Sequence, residues 1–177
     1  MGKRQVLRSG IVLAAIFAVA VFASSGSVMA ASKNCSVLGT WHGVSDTGAS
    51  WMVTDTRGQS ATVGQMVVEW VLWDPTLLGA FPTAVRTTNP MGVWEKVNGN
   101  TSKYTWIAYG LDGIGQPLYT IRASGIGSMV NCDESHFTYV TQVFLPLQDI
   151  SKDTPIATFC GTGIETRMQL VQATCPQ

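Results

Sequence analysis

The chain has 177 residues with eleven basic and eleven acidic side chains, a net charge of zero, and 46% hydrophobic residues. This length suits one domain with a substantial core. The scattered Lys and Arg residues form no basic stripe, so nucleic acid and anionic membrane surfaces are poor partners.

Residues 1–30 read as a secretory signal peptide. The first ten residues carry Lys3, Arg4 and Arg8 and no acid, residues 11–23 are continuously apolar, and Val28-Met29-Ala30 offers a cleavage site. The apolar run is shorter than the roughly 20 residues that a spanning helix needs. Cleavage after Ala30 predicts a single secreted domain over 31–177, extracellular or periplasmic, with no membrane span. Its eight basic and eleven acidic residues leave a charge of −3. Four cysteines remain: Cys35, Cys132, Cys160 and Cys175. An even number behind an export signal predicts two disulfides, of open connectivity, and the absence of any close Cys pair argues against a metal site.

The segments that follow read as strands and turns, with hardly any helix. Strands are predicted over 38–44, 51–57 and 64–73, the last of which (GQMVVEWVLW) is rich in β-branched and aromatic residues. Residues 74–90 hold three Pro without alternation and predict a long loop with one helical turn at most. Asn98-Gly99-Asn100 predicts a hairpin between strands 92–97 and 102–111. Further strands are predicted over 116–130, 136–145 and 160–171. Within 116–130 the odd positions from Tyr119 to Met129 are apolar or small, and the even ones include Thr120, Arg122, Ser124 and Ser128. That alternation gives the strand an inner and an outer face. Eight sequential antiparallel strands predict an all-β, closed up-and-down barrel, with a two-sheet sandwich as the alternative. The interior of such a barrel either fills with side chains or holds one small ligand.

Gly39-Thr40-Trp41 on the first strand resembles the Gly-x-Trp signature of the lipocalins and their calycin relatives. The resemblance implies that Trp41 closes one barrel end, with a late Arg lying across its face. Arg167 in GIETRMQL is the candidate, and both roles are structural. The stretches GVWEKV and YTWIAYGLDGIGQ also resemble small secreted bacterial barrels related to allene oxide cyclases.

Candidate ligand-lining residues are Trp70, Trp94, Trp106, Tyr109, Tyr119 and Tyr139, each of which could equally be core packing. Glu69 and Glu95 sit inside apolar strands, either turned inward with a shifted pKa or on the outer face. His42 and His136 have no acid or His at metal-ligand spacing, so no metal or cofactor is expected. Catalytic motifs are lacking, so an enzyme is not the favoured reading. The leading expectation is a secreted barrel that binds a small apolar ligand. The alternatives are a structural or interaction module of the cell envelope or exterior, and a cyclase- or isomerase-type enzyme. A cavity would separate the first and third from the second. A carboxylate or Tyr buried in it beside a polar partner would favour the enzyme over the binder. Oligomeric state is not legible.

Overall fold

The computed structural model describes residues 35–169, so the signal-peptide reading of 1–30 and Cys175 fall outside the described residues. Nine strands follow one another: β1 (Gly39–Ser45), β2 (Ser50–Ser60), β3 (Val63–Leu72), β4 (Arg86–Thr87), β5 (Met91–Lys96), β6 (Thr101–Leu111), β7 (Pro117–Asn131), β8 (Glu134–Phe144) and β9 (Ala157–Arg167). All pairings are antiparallel; apart from β4 each strand pairs with the next one along the chain, β3 pairs with β5, and β9 returns to β1 to close the ring. The two-residue β4 precedes β5 along the same edge of β6, so eight strand positions make the barrel. Closure leaves no sheet edge, and the sandwich alternative is set aside. No helix occurs among the described residues. The long 74–90 loop was expected to hold a helical turn at most; it carries turns and then β4.

Register explains the interior. Seven inward glycines stand directly opposite an aromatic on the neighbouring strand: Gly43 faces Trp51, Gly64 faces Trp94, Gly92 faces Trp106, Gly110 faces Tyr119, Gly125 faces Tyr104, Gly161 faces Tyr139 and Gly163 faces Phe137. The missing side chain makes room for each ring. A Cβ on Gly110 would stand 2.0 Å from the Tyr119 ring, and one on Gly43 2.3 Å from Trp51. Large and small residues thus interlock across strands, which lets a narrow barrel take many aromatics without strain.

The two ends differ. Where β1 begins, Trp41 is 2% exposed and its indole N–H donates to the Val37 carbonyl at 2.8 Å. The Arg167 guanidinium lies 4.1 Å from the Trp41 ring centre. It also donates to the backbone oxygens of Cys132 (2.7 Å), Leu38 (2.6 Å) and Ser36. The Cys35–Cys132 disulfide ties the entering chain to the β7–β8 turn at this same end. The second expected disulfide would involve Cys175, which lies outside the described residues. Cys160 lies exposed along β9, opposite Val140, with no partner among the described residues. At the other end, segment 74–85 folds over the barrel. The Tyr119 hydroxyl donates to Pro75 O at 2.6 Å, and Phe81 packs on the Tyr119 ring. Tyr119, Ile121, Val143 and Ala84 form a buried cluster there.

Candidate functional site

Above Trp41 the barrel interior holds a partly open cavity of about 100 Å³ that reaches the β1–β2 turn at Thr47 and Ala49. Its wall comes from inward positions of nearly every strand. Trp41 is its floor as well as the plug, and Trp51, Trp70, Trp73, Trp94, Trp106, Tyr104, Phe137 and Tyr139 surround it. Several of these rings meet nearly edge to face: Trp51 with Trp70 at 84°, Trp70 with Trp106 at 79°, and Trp51 with Phe137 at 68°. Trp70 and Trp73 instead stack, with centroids 4.4 Å apart. Packing aromatics edge to face satisfies their quadrupoles.

Of the predicted lining residues, the structure places Trp70, Trp94, Trp106 and Tyr139 on the cavity wall. Tyr119 is not there: it is fully buried in the capped end. Tyr109 is not there either. It points outward and is 46% exposed, because it sits one residue out of phase with the inward Ala108 and Gly110. Glu69 and Glu95 are on the outer face, and Glu95 pairs with Lys103 at 2.9 Å. The histidines also face outward: His42 lies 3.0 Å from Ser50 Oγ, and His136 2.6 Å from Glu134. Among the described residues no group of three His, Cys, Asp or Glu is placed to hold a metal ion.

Two carboxyl groups that the sequence reading passed over do face the cavity, Asp55 from β2 and Glu165 from β9. Glu165 accepts a hydrogen bond from the Trp51 indole at 3.1 Å. Burial pushes its pKa up to about 7, and the Trp51 bond offsets that only in part. Burial likewise pushes Asp55 up to about 8; the Glu165 charge adds to the rise and Arg167 opposes it. Burial, then the charge of Glu165, also raises the Tyr104 hydroxyl, which donates to Thr138 O at 3.4 Å. The hydroxyl of Ser102, a residue 8% exposed, lines the same cavity without a hydrogen-bond partner. Buried polar atoms are rarely left unpaired, and sites that bind a molecule are where the exceptions gather.

No family model matches the chain, and no curated protein matches it either. Among solved structures it is similar to EF1p2_mFAP2b bound to DFHBI, at 12% identity and a TM-score of 0.47, over 74% of this chain and 93% of that one. It is also similar to AVR2, at 16% identity and a TM-score of 0.43, over 78% of this chain and all of that one.

Proposed function

We propose that this chain is an exported, lipocalin-like barrel that holds a small, largely apolar ligand in its interior. The observation that carries the reading is the cavity itself: eight aromatic side chains surround an unfilled space above the Trp41 plug, although a second buried cluster packs around Tyr119 and Ile121. A barrel with only a structural role has no use for that space, since each unfilled volume costs stability. A dry apolar cavity of about 150 Å³ accepts benzene. The volume here suits a ligand of about five heavy atoms, or a larger one if the wall yields. Export follows from the charged, apolar and small-residue pattern of residues 1–30, and the Cys35–Cys132 disulfide is compatible with it.

The experiment is a titration of the isotope-labelled protein with cyclopentane and benzene, read by the indole N–H signals in two-dimensional NMR. Saturable shifts of Trp51, Trp70, Trp94 and Trp106 support the reading. Unmoved indoles, or shifts confined to outward residues, reject it.

One observation favours a second reading. Glu165 is a half-buried carboxyl facing the cavity beside a polar partner, with Tyr104 nearby, as an acid–base isomerase or cyclase would need. A pH-dependent turnover of an added small substrate that is lost in Glu165→Gln would move the protein to that class.

A further inference from the structure

The cavity lining contains two acids and no base. Asp55 and Glu165 face it, and none of its lining residues is Lys, Arg or His. The nearest cation is Arg167, which is committed to the Trp41 ring and to three backbone carbonyls. Arg57 on β2 and Lys96 on β5 share the inward register but lie beyond the lining, toward the Arg167 end. The remaining titratable groups facing the carboxyls are the Tyr104 and Tyr139 hydroxyls from β6 and β8. The strands β1, β3, β5 and β7 contribute no ionisable group to the lining.

We propose that the cavity is a site for a small organic ammonium ion, held by cation–π contact with the aromatic wall and by Glu165 and Asp55 as its counter-charges. This rests on the ligand-binding reading above and names the ligand class. An interior wall built mostly of Trp, Tyr and Phe side chains is the kind of surface that recognises a quaternary or small ammonium ion. Ser102 supplies an independent sign of a missing partner, because its buried hydroxyl is free to accept from a donor on the ligand. A purely apolar occupant would leave the Ser102 hydroxyl unpaired and would give Asp55 and Glu165 no counter-charge beyond the Trp51 bond to Glu165. A hard metal ion is a poor fit, because it needs about six or more oxygen ligands and the wall is mostly carbon.

Burial holds Glu165 near 7 and Asp55 near 8, so the empty cavity carries protons at neutral pH. A cation entering next to them favours the ionised forms and displaces protons. Its affinity therefore rises with pH through this range and falls below it, by about tenfold per unit for each proton released.

The test compares tetramethylammonium with tert-butanol, a neutral molecule of the same shape, by calorimetry and indole NMR at about pH 6 and about pH 8.5. The expected result is that tetramethylammonium binds about tenfold or more tightly than tert-butanol at the higher pH. It should also release protons and lose most of that affinity at the lower pH. Glu165→Gln should remove the preference of the cavity for the cation over tert-butanol. Equal binding of both probes, or affinity for the cation that does not change with pH, overturns the ammonium proposal while the cavity reading stands. If tetramethylammonium, tert-butanol and benzene all leave the indole signals unmoved, the cavity reading fails and takes this proposal with it. Should Glu165→Gln not fold, the wild-type comparison at two pH values still decides.

Discussion

The contact between Trp41 and Arg167 can be measured as a coupling energy. Trp41 is 2% exposed and its N–H is bonded to Val37, so Trp41→Ala removes a buried large aromatic and one hydrogen bond. The loss should be about 4 kcal/mol. The Arg167 side chain is 21% exposed and donates to three carbonyls, which lose these partners in Arg167→Ala. Those carbonyls can recruit water at the barrel rim, so that loss should be smaller, about 2–3 kcal/mol. The guanidinium stands 4.1 Å from the ring centre, and a partly desolvated cation–π pair contributes about 1 kcal/mol. The double variant should therefore lose about 1 kcal/mol less than the sum of the singles. Equilibrium urea unfolding of the four proteins measures this, provided the denaturant slopes agree. Additivity within about 0.3 kcal/mol would mean that the ring and the guanidinium do not interact, and the plugged barrel end would lose its central contact.

Other outcomes follow from the same structure. Gly110→Ala puts a Cβ 2.0 Å from the Tyr119 ring inside a filled core, so it should cost at least about 2 kcal/mol in urea unfolding; Gly99→Ala, with nothing within 4 Å, should be close to neutral. The raised carboxyls make stability pH-dependent. Well below about pH 4 Asp55 and Glu165 are neutral in both states and cost nothing; as pH rises above about 4 the unfolded chain ionises them while the folded form holds them protonated, so stability should fall by a few kcal/mol between about pH 4 and about pH 7–8, where the folded groups also ionise, and level off above. Glu165→Gln should flatten that decline, and a wild-type profile that rises from pH 5 to 9 would contradict the burial of the two groups. The Cys35–Cys132 bridge spans 97 residues, so Cys35→Ser should lose about 3–5 kcal/mol, and peptide mapping should find Cys35 linked to Cys132 and not to Cys160.

The barrel was legible because turns punctuate the chain wherever a strand ends, and eight sequential strands leave few closed arrangements. Strand parity was legible too where the outer face is polar, as along β7. It was masked elsewhere because the outer wall is itself apolar: Val67 and Val71 flank Glu69, Val93 lies beside Glu95, and all three valines are more than 40% exposed. Apolar neighbours therefore made Glu69 and Glu95 look inward, and Tyr109 fell on the wrong face for the same reason. The true inward acids carried a signal in their phase. Asp55 continues Trp51 and Val53, and Glu165 continues Gly161 and Gly163, each two residues on. The aromatic–glycine pairing was also written in the sequence, but it becomes visible only when the register of two strands is known. No spacing rule within one strand reveals a cavity that depends on which rings fail to meet across the barrel.

The claim that the interior is a ligand cavity is tested most directly by a crystal structure of the protein under xenon pressure. Xenon is apolar, uncharged and small enough to enter without moving the wall. The account predicts xenon density inside the barrel, in contact with Trp51, Trp94, Trp106 and Phe137 above Trp41. A barrel whose aromatic side chains close on one another there, with xenon absent or bound only outside, would contradict it.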